Sequence, residues 1–206
     1  MKKILSLILL TSSIFLTSQA RASKDGFYIA ADIIFPDIRY KFDSTSQNII
    51  PNGKAKGNGL GYGFTGGYRQ YFGNAFFAPE IFYDYINATA KDSYRTEEPY
   101  GSNTLELRSR KGAKLSLGYD FNNLSVYLTY GAASVYHVEN FPQLNIKQGR
   151  WTTSPISGIG ARFNFTDNWA VKAEFTTQKF DVIYAGESEK GKVKLDILKA
   201  GIVLKF

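Results

Sequence analysis

Cysteine is absent from the 206-residue chain, which excludes a disulfide scaffold and any thiolate-ligated metal site. Beyond residue 22 no apolar run approaches the ~20 residues that a helix needs to cross a bilayer, so any membrane insertion must use strands. Helical periodicity is also missing past the N-terminus. No stripe of basic residues stands apart, as it would in a nucleic-acid binder; both charge signs are spread along the chain. Histidine occurs once, as His137.

What is present begins with a targeting pattern. Lys2 and Lys3 precede an apolar run from Ile4 to Leu16, followed by small residues. Cleavage after Ala20 or after Ala22 fits this order, which is that of a secretory signal. The predicted organisation is a signal peptide over 1–22 and one domain over 23–206. Removing Lys2, Lys3 and Arg21 leaves 22 basic against 18 acidic residues, a mild net charge.

From Gly26 onward the pattern repeats every two residues, the period of a strand. Phe27, Ile29, Ala31, Ile33 and Phe35 share one face. Leu60, Tyr62 and Phe64 follow, then Phe77, Pro79, Ile81, Tyr83 and Tyr85. A fourth segment sets Leu105, Leu107, Ala113, Leu115 and Leu117 against Glu106, Arg108, Arg110 and Lys114. Four more segments centre on Leu128, Ile159, Val171 and Ile202. Short turns at 73–74, 120–123 and 166–168 alternate with longer polar stretches near 36–58, 87–103, 137–155 and 185–191. The fold expected is all-β: an eight-stranded, antiparallel, up-and-down transmembrane barrel, with tight turns at its periplasmic end.

A soluble barrel also alternates, so the second face decides the environment. It mixes glycines with Arg69, Glu80, Asp84, Glu106, Arg108, Arg110, Lys114, Arg162, Lys172 and Glu174. An Arg or Lys facing lipid near the midplane costs ~2–4 kcal/mol, against a total stability of ~5–15 kcal/mol. These ten residues are therefore expected to line the lumen as a paired network. Aromatic residues flank the apolar stretches. Tyr71, Phe72, Tyr119, Phe121, Phe165, Trp169 and Phe206 lie near the tight turns, and Tyr83, Tyr85 and Tyr136 towards the loops, as in interfacial belts.

The stretch from Gly158 to Phe175, with its Phe-Thr-Asp-Asn turn and Val-Lys-Ala-Glu-Phe strand, resembles the opacity-protein-like branch of small outer-membrane β-barrels, which has OmpA- and OmpX-type relatives. Ala78-Pro79-Glu80 and the terminal Phe206 are similar to features of that family. The resemblance covers roughly residues 24–206. It implies an outer-membrane location, contact with outer-membrane lipid and lipopolysaccharide, and Phe206 as a signal for the assembly machinery. It also implies a surface-antigen or adhesin-like role, with host-surface or serum proteins as partners through the loops.

Catalytic and cofactor chemistry is weakly represented. Tyr136-His137-Val138-Glu139 lacks the His-x-Ser arrangement of lipid A deacylases, and a lone His near a loop reads as solvated. Gly61-Tyr-Gly-Phe-Thr-Gly66 has dinucleotide-fingerprint spacing, but lies within one strand rather than opening a helix. Glu80, Asp84 and Glu106 suggest a Ca²⁺ cluster, but basic neighbours make a charge network the simpler reading. The expectation is a non-enzymatic protein without cofactor. A small pore is the alternative, and a lipid A-modifying enzyme comes third. Tyr40, Phe42, Ile49, Ile50, Tyr94, Tyr100, Phe141 and Trp151 are the expected contact anchors in the loops.

Overall fold

The computed structural model describes residues 25–42, 53–92, 104–141, 146–183 and 190–206. The expected signal peptide, four of the eight contact anchors (Ile49, Ile50, Tyr94 and Tyr100) and the loop tips lie outside these residues. Nine strands form one antiparallel sheet: β1 (Gly26–Phe42), β2 (Gly53–Asn58), β3 (Gly61–Phe72), β4 (Ala75–Asp92), β5 (Thr104–Phe121), β6 (Leu124–Phe141), β7 (Ile146–Asn164), β8 (Trp169–Ile183) and β9 (Lys190–Lys205). β1 pairs with β9 from Tyr28↔Lys205 to Phe42↔Gly191, so the sheet closes. β2 and β3 both lie between β1 and β4, one above the other. Nine strands thus fill eight positions around the ring, an interior just wide enough for side chains.

Local chemistry sets the turns and the breaks. Gly73 (φ 65°) and Asn122 (φ 60°) each open a two-residue hairpin, the left-handed first position that glycine and asparagine tolerate. The β7–β8 turn is held by Thr166, whose Oγ1 accepts the Trp169 N–H at 2.9 Å. Three prolines mark ladder interruptions. Pro36 faces the gap between β2 and β3, Pro79 lies in the skipped register of β3–β4, and the β7–β8 ladder stops at Ile156, next to Pro155. A residue without an N–H cannot continue a ladder.

The strands outrun the sequence reading. β1 spans 17 residues; at about 3.3 Å per residue and a tilt near 40° it rises roughly 43 Å. The apolar band of an outer-membrane barrel is only ~25 Å tall. Stretches read as loop, such as 36–42, 87–92, 137–141 and 146–155, are therefore wall. They escaped notice because most of their outward residues are polar, Trp151 being an exception.

Polarity inverts along the wall. Towards the tight turns, Phe27, Ile33, Phe64, Ile81, Leu117, Leu128, Ile159 and Ile202 point outward and are exposed. Further up, Asp37, Arg39, Lys41, Lys179, Asp181 and Lys192 take the outward positions. There the interior is an apolar cluster that includes Ile34, Ile38, Ile86, Leu105, Leu107, Val135, Phe180 and Leu195. The lower part is thus suited to hydrocarbon outside, and the upper part is built like a soluble barrel around a largely apolar core.

Candidate functional site: a filled lumen beneath a charged rim

The inward positions of the lower half carry six buried cations (Arg69, Arg110, Lys114, Arg162, Lys172, Lys199) and five buried carboxylates (Asp32, Glu80, Asp84, Asp120, Glu174). Desolvating an ion costs several kcal/mol unless partners replace the water, and the network supplies them. Asp84, fully buried, accepts from Arg110 Nε and Nη2 at 2.9 and 2.7 Å and from Lys199 Nζ at 2.6 Å. Lys114 sits between Glu80 (2.9 Å) and Glu174. The Tyr28 hydroxyl donates to Glu80, and that of Tyr127 donates to Glu174 at 3.2 Å. Lys172 pairs with Asp32 at 3.1 Å, and Thr65 donates to the same carboxylate oxygen at 3.2 Å.

Aromatic rings pack between the charges. Phe82 lies within 5.0 Å of the Arg110 guanidinium carbon and 4.7 Å of the Lys199 ammonium, measured to its ring centroid, a cation–π arrangement that is stronger away from water. Phe76 lies 4.0 Å beneath Arg69 in the same way. These rings fit because glycine stands opposite them. A Cβ on Gly112 would come within 2.9 Å of Phe82 Cζ, and one on Gly67 within 2.8 Å of the Tyr28 hydroxyl. The inward glycines, including Gly61 and Gly63 of the apparent dinucleotide motif, leave room inside a narrow tube.

Of the ten residues singled out from the sequence, eight face the lumen: Arg69, Glu80, Asp84, Arg110, Lys114, Arg162, Lys172 and Glu174. Glu106 and Arg108 do not. Leu107 and Ser109 of β5 pair with His137 and Tyr136 of β6, which are adjacent, so Arg108 has no partner on that strand. This bulge reverses the parity of β5. Above it Leu105 and Leu107 point inward, while Arg108 and Glu106 form an outer ion pair at 3.0 Å. With Glu106 outside, the suggested Ca²⁺ cluster loses a member. No group of three metal-ligating side chains occurs among the described residues.

Asp32, Asp120 and Lys199 belong to the network but were not singled out. Their signal was the parity of Asp32 and Lys199 with the glycine face, and the place of Asp120 beside a turn. Tyr71 leaves the outer belt: it points inward, and its hydroxyl accepts from Arg69 at 3.1 Å. Tyr40 is buried rather than displayed. Trp151 lies on the outer wall of β7, its ring centroid 5.3 Å from that of Tyr136 and 4.5 Å from the Lys111 ammonium.

His137 also departs from the sequence reading. It lies within β6, is 1 % exposed, and its Nε2 is 3.2 Å from Glu139. The Phe180 ring packs beside it at 5.9 Å. Parity carries it inward with Val135 and Glu139, into the upper core.

Comparison with known proteins places this architecture. OprG from Pseudomonas aeruginosa superimposes with a TM-score of 0.59 at 12 % identity, over 91 % of this chain and 99 % of that one. The outer membrane protein AlkL, solved by solid-state NMR in DMPC bilayers, gives 0.52 at 16 % identity over 92 % and 94 %. The outer membrane protease OmpT from Escherichia coli gives 0.51 at 10 % identity over 92 % and 99 %. At such identities the likeness is one of fold. No curated protein matches the chain. The family model for the outer membrane protein beta-barrel domain matches residues 6–206. The chain therefore belongs to the outer membrane protein β-barrel domain family, and it is a protein of the outer membrane.

Proposed function

We propose that this protein is a surface scaffold: a non-enzymatic barrel that presents its upper rim to host-surface or serum proteins, in the manner of a surface antigen or adhesin. One observation carries the reading. The tube is filled at two levels, by an ion network below and an apolar core above, with Arg110, Lys199, Ile38 and Leu195 each at most 1 % exposed. A filled tube gives little passage to solutes, which favours a role at the rim over a role in the lumen. His137, the one imidazole, is sealed in the upper core beside Phe180, where a lipid substrate has no access to it. Segments 43–52, 93–103, 142–145 and 184–189, which connect consecutive strands in the sequence and lie outside the described residues, carry Ile49, Ile50, Tyr94 and Tyr100 among polar residues. Aromatic and apolar anchors in a polar frame are the usual hot spots of protein contacts.

The test is to shorten 45–51 and 94–102 in cells that still display the barrel. Lost binding to matrix or serum proteins supports the proposal, and unchanged binding contradicts it. Stable open channels from the purified protein in planar bilayers would instead favour a pore.

A further inference from the structure

Around most of the upper wall, neighbouring strands stay paired to their ends. The β4–β5 ladder reaches Lys91↔Thr104, β6–β7 reaches Phe141↔Ile146, and β8–β9 reaches Ile183↔Lys190. The β7–β8 ladder instead stops at Ile156↔Gln178. Above that pair, among the described residues, 146–155 of β7 pair only with β6, and 179–183 of β8 pair only with β9. Continued register would set Ser154 beside Phe180 and Thr152 beside Val182. A cleft of about 830 Å³ lies there instead, with Thr152, Thr153 and Ser154 on one side and Lys179, Phe180 and Asp181 on the other.

Two strand edges therefore face each other across the cleft, and Pro155 shows which backbone groups of β7 point into it. The β6–β7 register runs without a shift from Leu124↔Phe163 to Phe141↔Ile146, so alternate residues aim their N–H and C=O groups to opposite sides. A proline fits a ladder where its missing N–H points away from the partner strand. Residues of its parity, Trp151 and Thr153, thus direct their backbone groups towards β8. An open edge of this kind is a template for one more strand. A second copy of this chain is a poor occupant. The lining carries Arg39, Lys41, Lys179, Lys192 and Lys194 against the single carboxylate of Asp181, and like charges brought together oppose edge-to-edge pairing. Phe180 and Val193, both buried, close the inner side of the cleft.

We propose that this cleft captures an extended segment of another protein by strand addition; the proposal rests on the surface role above and gives it a site and a kind of partner. The captured strand bonds to the backbone of Trp151 and Thr153. Its side chains alternate, apolar ones turning inward onto Phe180 and Val193 and acidic or polar ones turning outward between Trp151 and Lys179. Backbone bonding supplies the affinity, and the alternation supplies the selectivity.

The experiment uses the processed chain folded in phosphatidylcholine nanodiscs, with a capped octapeptide that alternates Val with Glu or Thr as the probe, titrated to millimolar concentration. Amide hydrogen exchange is followed by NMR. The Trp151 and Thr153 amides should exchange fast in the free protein and about tenfold more slowly once the peptide reaches about ten times its Kd. Thr152 and Ser154, whose amides face β6, should exchange slowly throughout. Thr153→Pro removes a donor from the cleft and leaves the β6 ladder intact, so it should weaken peptide binding about fivefold or more, the worth of one backbone hydrogen bond. Thr153→Ala keeps that donor and should bind as the parent does. Should Thr153→Pro fail to fold, the same octapeptide N-methylated at alternate residues serves, and it should give no protection. Slow exchange of Trp151 and Thr153 in the free protein overturns the proposal, since it marks a closed seam. So does absence of protection at millimolar peptide, equal binding of the N-methylated form, or barrel dimers that form without peptide and depend on Thr153. None of these results touches the surface role itself, which fails separately if shortening 45–51 and 94–102 leaves matrix and serum-protein binding unchanged.

Discussion

Replacing Asp84 by Asn removes the one carboxylate shared by Arg110 and Lys199. Both cations are 1 % exposed, so neither can turn to water when the partner is lost. Breaking a buried pair from one side costs ~3–5 kcal/mol, because the remaining charge is left uncompensated; here two charges are left. Set against a stability of ~5–15 kcal/mol, Asp84→Asn should shift the unfolding free energy by about 4 kcal/mol or more. Urea titration in phospholipid vesicles, followed by the gel-mobility difference between folded and unfolded barrel, measures this. The companion variant Asp84→Leu, Arg110→Met, Lys199→Met exchanges the whole triad for apolar groups, and it should recover most of the loss, since well-packed apolar replacements of buried ion groups are often neutral or better. A loss below about 1 kcal/mol for Asp84→Asn, the value of an exposed pair, would refute the reasoning, because it would mean that water reaches the triad.

Three further outcomes follow from the same geometry. Ile81→Arg, on the outward face at a position 70 % exposed, should cost ~2–4 kcal/mol in the same vesicle titration; no cost would place that surface in water. Leu107→Ala, in the upper core, should cost ~2–5 kcal/mol, whereas its neighbour Arg108→Ala should stay within about 0.5 kcal/mol; the reverse order would contradict the β5 bulge. Phe206 closes the barrel through its N–H, which the Phe27 carbonyl accepts at 2.9 Å, and we propose that it is also the assembly signal. Phe206→Ala should then lower the folded fraction in cells more than it lowers stability in vesicles, and equal effects would reduce it to a packing residue.

The lower barrel was legible because both of its faces carry strong signals. On β8, Trp169, Val171, Ala173 and Phe175 alternate with Lys172 and Glu174, and no membrane midplane accepts those charges. Period two and charge cost together fix which way each residue points. The upper wall was harder to read. Outward Arg39 and Lys41 around inward Ile38 and Tyr40 alternate just as well, but with the opposite sense. A hydrophobic-strand pattern ends at Phe35, so the remainder reads as loop. The bulge at Arg108 was not legible at all. One unpaired residue exchanges the faces of everything above it, moving Leu105 and Leu107 inward and Glu106 outward, and no residue type announces it. His137 was misread for a related reason: its solvation was judged from nearness to a loop, whereas strand parity governs it.

The same inversion explains why charge and apolar residues change places without loss of solubility or insertion. Below, hydrocarbon covers the apolar face and ion pairs satisfy the lumen. Above, the lysines point outward and an apolar cluster fills most of the lumen. The boundary passes between Phe35 and Asp37 on β1 and between Leu198 and Asp196 on β9, which are neighbours in register.

Because the chain has no native cysteine, single-cysteine spin labels give a clean reading of that boundary in bilayers. Labels at Ile81, Leu128 and Ile202 should collide with dissolved oxygen and be shielded from a water-soluble nickel chelate, while labels at Lys41 and Lys179 should show the opposite. Free access of the nickel chelate to Ile81, Leu128 and Ile202 would contradict the account at its base.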